Sequence, residues 1–129
     1  MVFLPEACDY ICLTSKETLD NAEPLDGEFI NNYRKLAADL KIWLSLGSFH
    51  RKEESSGNMF NTHVVIDDYG EVKCSNDKIH LFEINHKSGD SITSLKESDY
   101  TQPGREFYMP VETPVGALSP SIVNRIIAL

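Results

Sequence analysis

Apolar residues fall in short runs between polar punctuation, and their periods assign most of the elements. Val2, Phe3 and Leu4 form a run stopped by Pro5, which has no N–H for a sheet ladder, so a short buried strand is predicted. Thr14 with Glu17 three positions on has capping-box spacing, and a short helix should begin there. Residues 23–27 contain Pro24 and Gly27 and punctuate it. After Asp26, the residues Phe29, Ile30, Tyr33, Leu36, Ala37 and Leu40 share one face at helical spacing and predict the main helix. Residues 42–49 read as a largely apolar strand leading into a charged, solvated loop over 51–57. Segments 60–66 and 71–74 flank Asp67-Asp68-Tyr69-Gly70, a hairpin in which the glycine supplies a positive φ. Residues 79–82 form another apolar island. Residues 85–104 are polar and punctuated, which predicts a long surface loop with little regular structure. Ser119-Pro120 makes a cap and first-turn pair, with Ile122, Val123, Ile126 and Ile127 on one face of a short terminal helix. Strand, helix, strand and hairpin give an α/β or α+β fold around a mixed sheet with flanking helices.

At 129 residues the chain suits one domain with a useful core. Its 12 Lys and Arg stand against 20 Asp and Glu, a formal charge of −8 without a basic cluster. That balance argues against nucleic acid or an anionic membrane surface as partner, since phosphate needs concentrated positive charge. No apolar run approaches the roughly 20 residues of a membrane helix. The start lacks a basic region and meets Pro5 and Glu6 at once, so it does not read as a signal peptide. Cys8, Cys12 and Cys74 are an odd, sparse set that fits a reducing compartment better than a disulfide scaffold. A cytoplasmic location is expected, with the mitochondrion as the alternative.

Glu6 follows a strand and a strand-breaking proline. It therefore stands at the carboxyl end of a strand, where open α/β sheets bind ligands, or is an ordinary turn carboxylate. Lys78 borders the apolar island 79–82; it could hold an oxyanion, or simply guard a sheet edge. Cys8 and Cys12 would stack in a helix and read as small buried hydrophobes, too few for a structural zinc site. Cys74 lies near Lys78, whose charge could depress a thiol pKa, so it is a candidate nucleophile. His50, His63, His80 and His86 show no metal spacing, and no phosphate or dinucleotide loop is present. Neither a metal nor a cofactor is expected.

Several segments, in order, resemble the carbon–nitrogen hydrolase (nitrilase) superfamily. Phe3-Leu4-Pro5-Glu6-Ala7 is similar to its glutamate motif, and Ala22 to Gly27 with Trp43 to His50 to the helix entry and strand that follow. Asn61-Thr62-His63-Val64-Val65-Ile66 resembles its hairpin. Lys78-Ile79-His80-Leu81-Phe82 resembles its lysine motif, and Glu97-Ser98-Asp99 with Pro103-Gly104 a later segment. The wording is most similar to the amidase branch acting on deaminated glutathione. The resemblance implies part of an α-β-β-α sandwich that cleaves linear amides of small carboxylic acids. In that chemistry a cysteine thiolate attacks the carbonyl, Glu6 is general base and acid, Lys78 stabilises the oxyanion and Glu97 supports the site. The implied partner is a small-molecule amide, with a homo-oligomer possible in the family.

The resemblance also marks departures. Thr113-Pro114-Val115-Gly116 is similar to the element before the family's nucleophile, yet residues 117–129 contain no cysteine. The expected division is a partial hydrolase domain over 1–116 and a divergent tail over 117–129. The strand before the glutamate motif and the nucleophile half are expected to be missing, and the chain alone inactive. Asn76-Asp77 replaces a Tyr-Arg pair, which would set an anion beside Lys78. Alternatives are a non-catalytic interaction module or splice product of an amidase gene, and a residual enzyme using Cys74 or a cysteine supplied by a partner.

Overall fold

The computed structural model describes residues 1–88, 91–106 and 109–122. Its first part runs β1 (Val2–Leu4), α1 (Ser15–Asn21), α2 (Glu28–Leu40), β2 (Leu44–Lys52), β3 (Met59–Ile66) and β4 (Val72–Asp77). The hairpins β5 (Glu83–Ser88) with β6 (Ser91–Lys96) and β7 (Val111–Thr113) with β8 (Gly116–Leu118) follow, separated by a 3-10 turn over Glu97–Asp99. The main sheet has the order β1-β2-β3-β4, with β1 parallel to β2 and the other two pairings antiparallel. A parallel pair needs a long crossover, and the two helices supply it. The fold is α+β around a mixed sheet.

The helix α1 starts on the reciprocal bonds of Thr14 and Glu17, as the spacing predicts. The longer α2 is capped by Gly27 and ends at Lys41, whose left-handed φ of 52° turns the chain so that the Ile42 N–H also reaches the Ala37 carbonyl, at 3.1 Å. Ile30 and Ala37 bury completely against Leu44, Leu46, Val64 and Ile66 of the sheet, and this contact is the core. Leu36 and Leu40, expected on the same face, lie at the edge of the stripe and stay exposed. The β3–β4 hairpin turns at Gly70 with φ 80°, as anticipated.

Four expectations are corrected. β1 is a sheet edge rather than a buried strand: it pairs only with β2 among the described residues, and Phe3 is 57% exposed. The charged stretch after residue 50 is not wholly solvated, because β2 continues through Lys52. The Arg51 guanidinium lies over the Phe60 ring and is bonded to Asp77 and Thr62. Residues 85–104 are not one long loop: only 100–104 lack regular structure among the described residues, whereas β5 pairs with β6 in register, with Ile84 opposite Leu95 and His86 opposite Thr93. Polar residues suffice for a hairpin whose ladder is satisfied by its own backbone. Finally, residues 119–122 are not helical; the Pro120 carbonyl, instead of starting a helix, accepts from the buried Asn76 amide at 3.0 Å. The rest of the expected terminal helix, with Val123, Ile126 and Ile127, lies outside the described residues.

Candidate active site

A register shift in the β2–β3 ladder between Leu46 and Phe49 frees the backbone of β2 for other partners. The Ser48 hydroxyl and carbonyl accept the N–H groups of Ala7 and Cys8, each at 2.9 Å. Asp9 accepts the His50 backbone N–H at 2.7 Å and bonds the ring Nδ1 at 3.0 Å. Gly47 allows the close approach, for a Cβ there would strike the Leu4 and Pro5 carbonyl oxygens. Ala7 takes a left-handed φ of 52°, a conformation that costs a residue with a Cβ about 1–2 kcal/mol. The segment after β1 is thus fastened to β2, and Glu6 stands just beyond the carboxyl end of β1.

Lys78 comes from the other side of the sheet's end. Its N–H donates to the Asn61 carbonyl and its carbonyl accepts from Gly104, both at 2.8 Å, so the backbone is clamped on two sides. The Lys78 side chain is 3% exposed, and its Nζ donates to Glu6 Oε1 at 2.7 Å and Glu97 Oε2 at 2.9 Å. Glu97 opens the 3-10 turn and is cross-bonded to Phe82: its N–H donates to the Phe82 carbonyl, while its Oε2 accepts the Phe82 N–H at 2.8 Å. The three residues singled out from sequence, Glu6, Lys78 and Glu97, therefore meet at one point. A fourth, Asn61, was not singled out as a site residue; its Nδ2 donates to Glu6 Oε1 at 2.8 Å and to Glu97 Oε1 at 3.0 Å.

Burial opposes charge on Lys78, but the hydrogen bonds and charges of Glu6 and Glu97 outweigh it and hold the ammonium's pKa above its ordinary value. Burial likewise pushes Glu97 up. The Phe82 N–H, the Asn61 amide and Lys78 more than offset this, so its carboxyl ionises below the usual range. An ammonium has three N–H donors, and two are taken by the carboxylates. One remains for an oxygen that develops charge in the cavity. Asp77, expected to compromise that field, turns away instead: its carboxylate is held by Arg51 at 3.0 Å and by the Thr62 hydroxyl at 2.7 Å.

These groups form one wall of a cavity of about 670 Å³, which Tyr10, Cys12, Thr18, His50, Lys96 and Tyr100 help to complete. Cys74 is not among its lining residues, and burial raises rather than lowers its thiol pKa; the Lys78 charge is spent on the carboxylates. Cys8 and Cys12 do not stack, since their segment is not helical. Burial pushes the Cys8 thiol up to about 11, whereas Cys12 stands in the cavity wall beside the Asn21 amide. Among the histidines, His50 stacks on Tyr10 with ring centroids 4.7 Å apart, and His63 shares a 2.8 Å bond with Ser45. No group of three or more His, Cys, Asp or Glu is placed to hold a metal among the described residues.

Comparison with known proteins follows the same lines. The carbon–nitrogen hydrolase family model matches residues 1–128. The nitrilase and fragile histidine triad fusion protein NitFhit of Caenorhabditis elegans is 41% identical over 123 residues, which is 95% of this chain and 27% of that protein. The deaminated glutathione amidase of Rattus norvegicus is 38% identical over 125 residues, again 95% of this chain but 37% of the relative. The chain therefore spans between a quarter and two fifths of the length of these relatives. The crystal structure of C. elegans NitFhit superposes with a TM-score of 0.76 at 39% identity, covering 91% of this chain and 28% of that one. Nit3 of Saccharomyces cerevisiae, a nitrilase superfamily member, shares the fold at 19% identity with a TM-score of 0.68, over 90% of this chain and 39% of its own.

Proposed function

This chain belongs to the carbon–nitrogen hydrolase family, and from that premise we propose that its cavity is the Glu–Lys part of an amidase site for linear amides of small carboxylic acids. One observation carries the reading. Lys78 Nζ lies 2.7 and 2.9 Å from two carboxylates in the wall of a cavity large enough for a small molecule.

In the proposed chemistry Glu6 takes the proton of a cysteine thiol, and the thiolate attacks the amide carbon. The carbonyl π electrons move onto oxygen, where the free N–H of Lys78 meets the charge. Glu6 then returns the proton to the nitrogen, the carbon–nitrogen bond breaks, and ammonia leaves a thioester. A water molecule gives a proton to Glu6 and attacks in turn; the sulfur leaves and recovers that proton, releasing the carboxylic acid. Glu97 keeps Lys78 placed and charged throughout.

The sulfur is the part these residues do not supply. Neither Cys8 nor Cys74 lines the cavity; Cys12 does, but its sulfur accepts from the Asn21 amide and has no bond to Glu6 among the described residues. Residues 117–129, which we assign to a divergent tail after a partial hydrolase domain over 1–116, contain no cysteine. Loss of the nucleophile closes the covalent route, so we assign binding without turnover to residues 1–129 by themselves. Titrating the isotope-labelled chain with a dicarboxylic acid monoamide should shift the resonances of Glu6, Lys78 and Tyr10, with no ammonia above background. Shifts confined to other surfaces, or equal binding by Lys78→Met, would remove the amidase reading. Ammonia release abolished by Cys12→Ala would refute inactivity.

A further inference from the structure

The four carboxylate oxygens of the site are not used alike. Glu97 is held on both: Oε1 by Asn61 at 3.0 Å, and Oε2 by Lys78 at 2.9 Å and by the Phe82 N–H at 2.8 Å. Glu6 is held on one. Its Oε1 takes Lys78 at 2.7 Å and Asn61 at 2.8 Å, while Oε2 has no hydrogen bond among the described residues and its side chain is 40% exposed. The two carboxylates share a single ammonium, which leaves the cluster with one negative charge in excess. Without a further donor, two anions this close would compete for one cation or for a proton. The Phe82 N–H serves Glu97 alone; the donor common to both carboxylates is the primary amide of Asn61, 5% exposed, whose one nitrogen faces each of them. Its backbone acts on the same group, since the Asn61 carbonyl accepts the Lys78 N–H.

We propose that Asn61 is the positioning residue of this site. By giving its amide nitrogen to both carboxylates it makes Glu97 a fixed counter-ion and leaves Glu6 Oε2 as the single oxygen free to accept a proton. An alanine would remove both bonds at once, and an aspartate would add a third carboxylate to a cluster that already carries excess charge. What the free oxygen then does rests on the amidase reading above; the division of labour itself does not.

The test uses the full 129-residue chain labelled at the glutamate side-chain carboxyl carbon, with no substrate present. Other charged groups bordering the cavity, Asp99, Lys96 and His50, are unchanged in every variant. In Asn61→Ala the Glu97 titration midpoint should rise by about one pH unit, the size expected for losing a hydrogen bond to the ionised form. Asn61→Ser, with a shorter donor, should fall between. A merely structural role would lower the unfolding midpoint yet leave the Glu97 titration of the folded chain where it was, and that result overturns the proposal. Should the alanine variant not fold, the wild-type chain decides. The Asn61 side-chain amide protons should shift with the titration of Glu97 and exchange slowly with water; an amide pair that ignores this titration overturns the proposal equally. Failure of monoamide binding leaves these readouts untouched, so the two readings fail separately.

Discussion

Lys78 is the residue on which both carboxylates depend, and its removal shows what the cluster is worth. Lys78→Met keeps the length of the stem but strands Glu97, which is 9% exposed, with no cation. Breaking one side of a buried ion pair costs about 3–5 kcal/mol, and the half-open position of Glu6 favours the lower end. The variant should therefore lose about 3 kcal/mol at pH 7 by urea denaturation. The loss should shrink at pH 4, because the uncompensated Glu97 can then take a proton; an equal loss at both pH values would speak against an electrostatic origin. At this scale Glu6 and Lys78 are legible because the resemblance implies a chemical role for each. Asn61 opens the stretch 61–66 that resembles the family's hairpin, but that likeness attaches no role to it. In the sequence nothing separates an inward amide in an alternating strand from any other polar position, and the separation of 36 positions from Glu97 closes only in three dimensions.

Elements position these residues through one irregularity, the bulge in β2. Gly47 lies where the backbone of residues 4 and 5 crosses, and Ser48 beside it binds the N–H groups of Ala7 and Cys8, so β2 touches the chain before Glu6 and fastens it after. Gly47→Ala must push that backbone away. Overpacking of this kind costs about 1–3 kcal/mol, and here the displaced atoms directly flank Glu6. A lowered urea midpoint should come together with weaker protection of the Lys78–Glu6 contact, seen as a shift of the Lys78 Nζ resonance; a stability loss without that shift would mean the bulge supports the sheet alone. The helix α1 offers a simpler check: Thr14→Ala removes one arm of the capping box and should cost about 1 kcal/mol. Periodicity found α2, β2 and the β3–β4 hairpin because each buries one face against another element. It missed β5 and β6, whose residues 83–96 are mostly polar and whose pairing leaves no apolar alternation to read. The bulge was invisible for the same reason: register is a property of two strands, not of one.

Across the whole molecule the ionisable groups that folding perturbs define a window of pH. Burial opposes the charged form of Asp9, but its bonds to His50 outweigh it and leave the carboxyl below its ordinary 3.8, as Glu97 lies below 4.5. A carboxyl depressed by folding contributes stability above its unfolded pKa and loses it as the pH falls. His63 acts in the same direction by the opposite chemistry, because burial disfavours its charged form and holds its pKa below 6.5. The native state thus binds fewer protons than the unfolded chain, and the acid limb should begin near pH 6.5 with His63 before the carboxylates join it. Lys78, raised above 10.5, and Cys8, raised from 9.0 to about 11, reverse the sign. Their contribution is complete below the unfolded values and is lost as the pH rises, so an alkaline limb should begin near pH 9. Thermal unfolding between pH 4 and 11 should accordingly trace a plateau from about pH 7 to 9 with a fall on each side. His63→Gln separates the contributions, for it removes the group that titrates first while leaving both carboxylates in place. The variant should hold its midpoint flat from pH 7 to 5.5, where the wild-type chain declines. If the decline persists without His63, the first protons to destabilise the fold bind elsewhere, and the sheet face that buries His63 beside Ser45 is not the source of the acid limb.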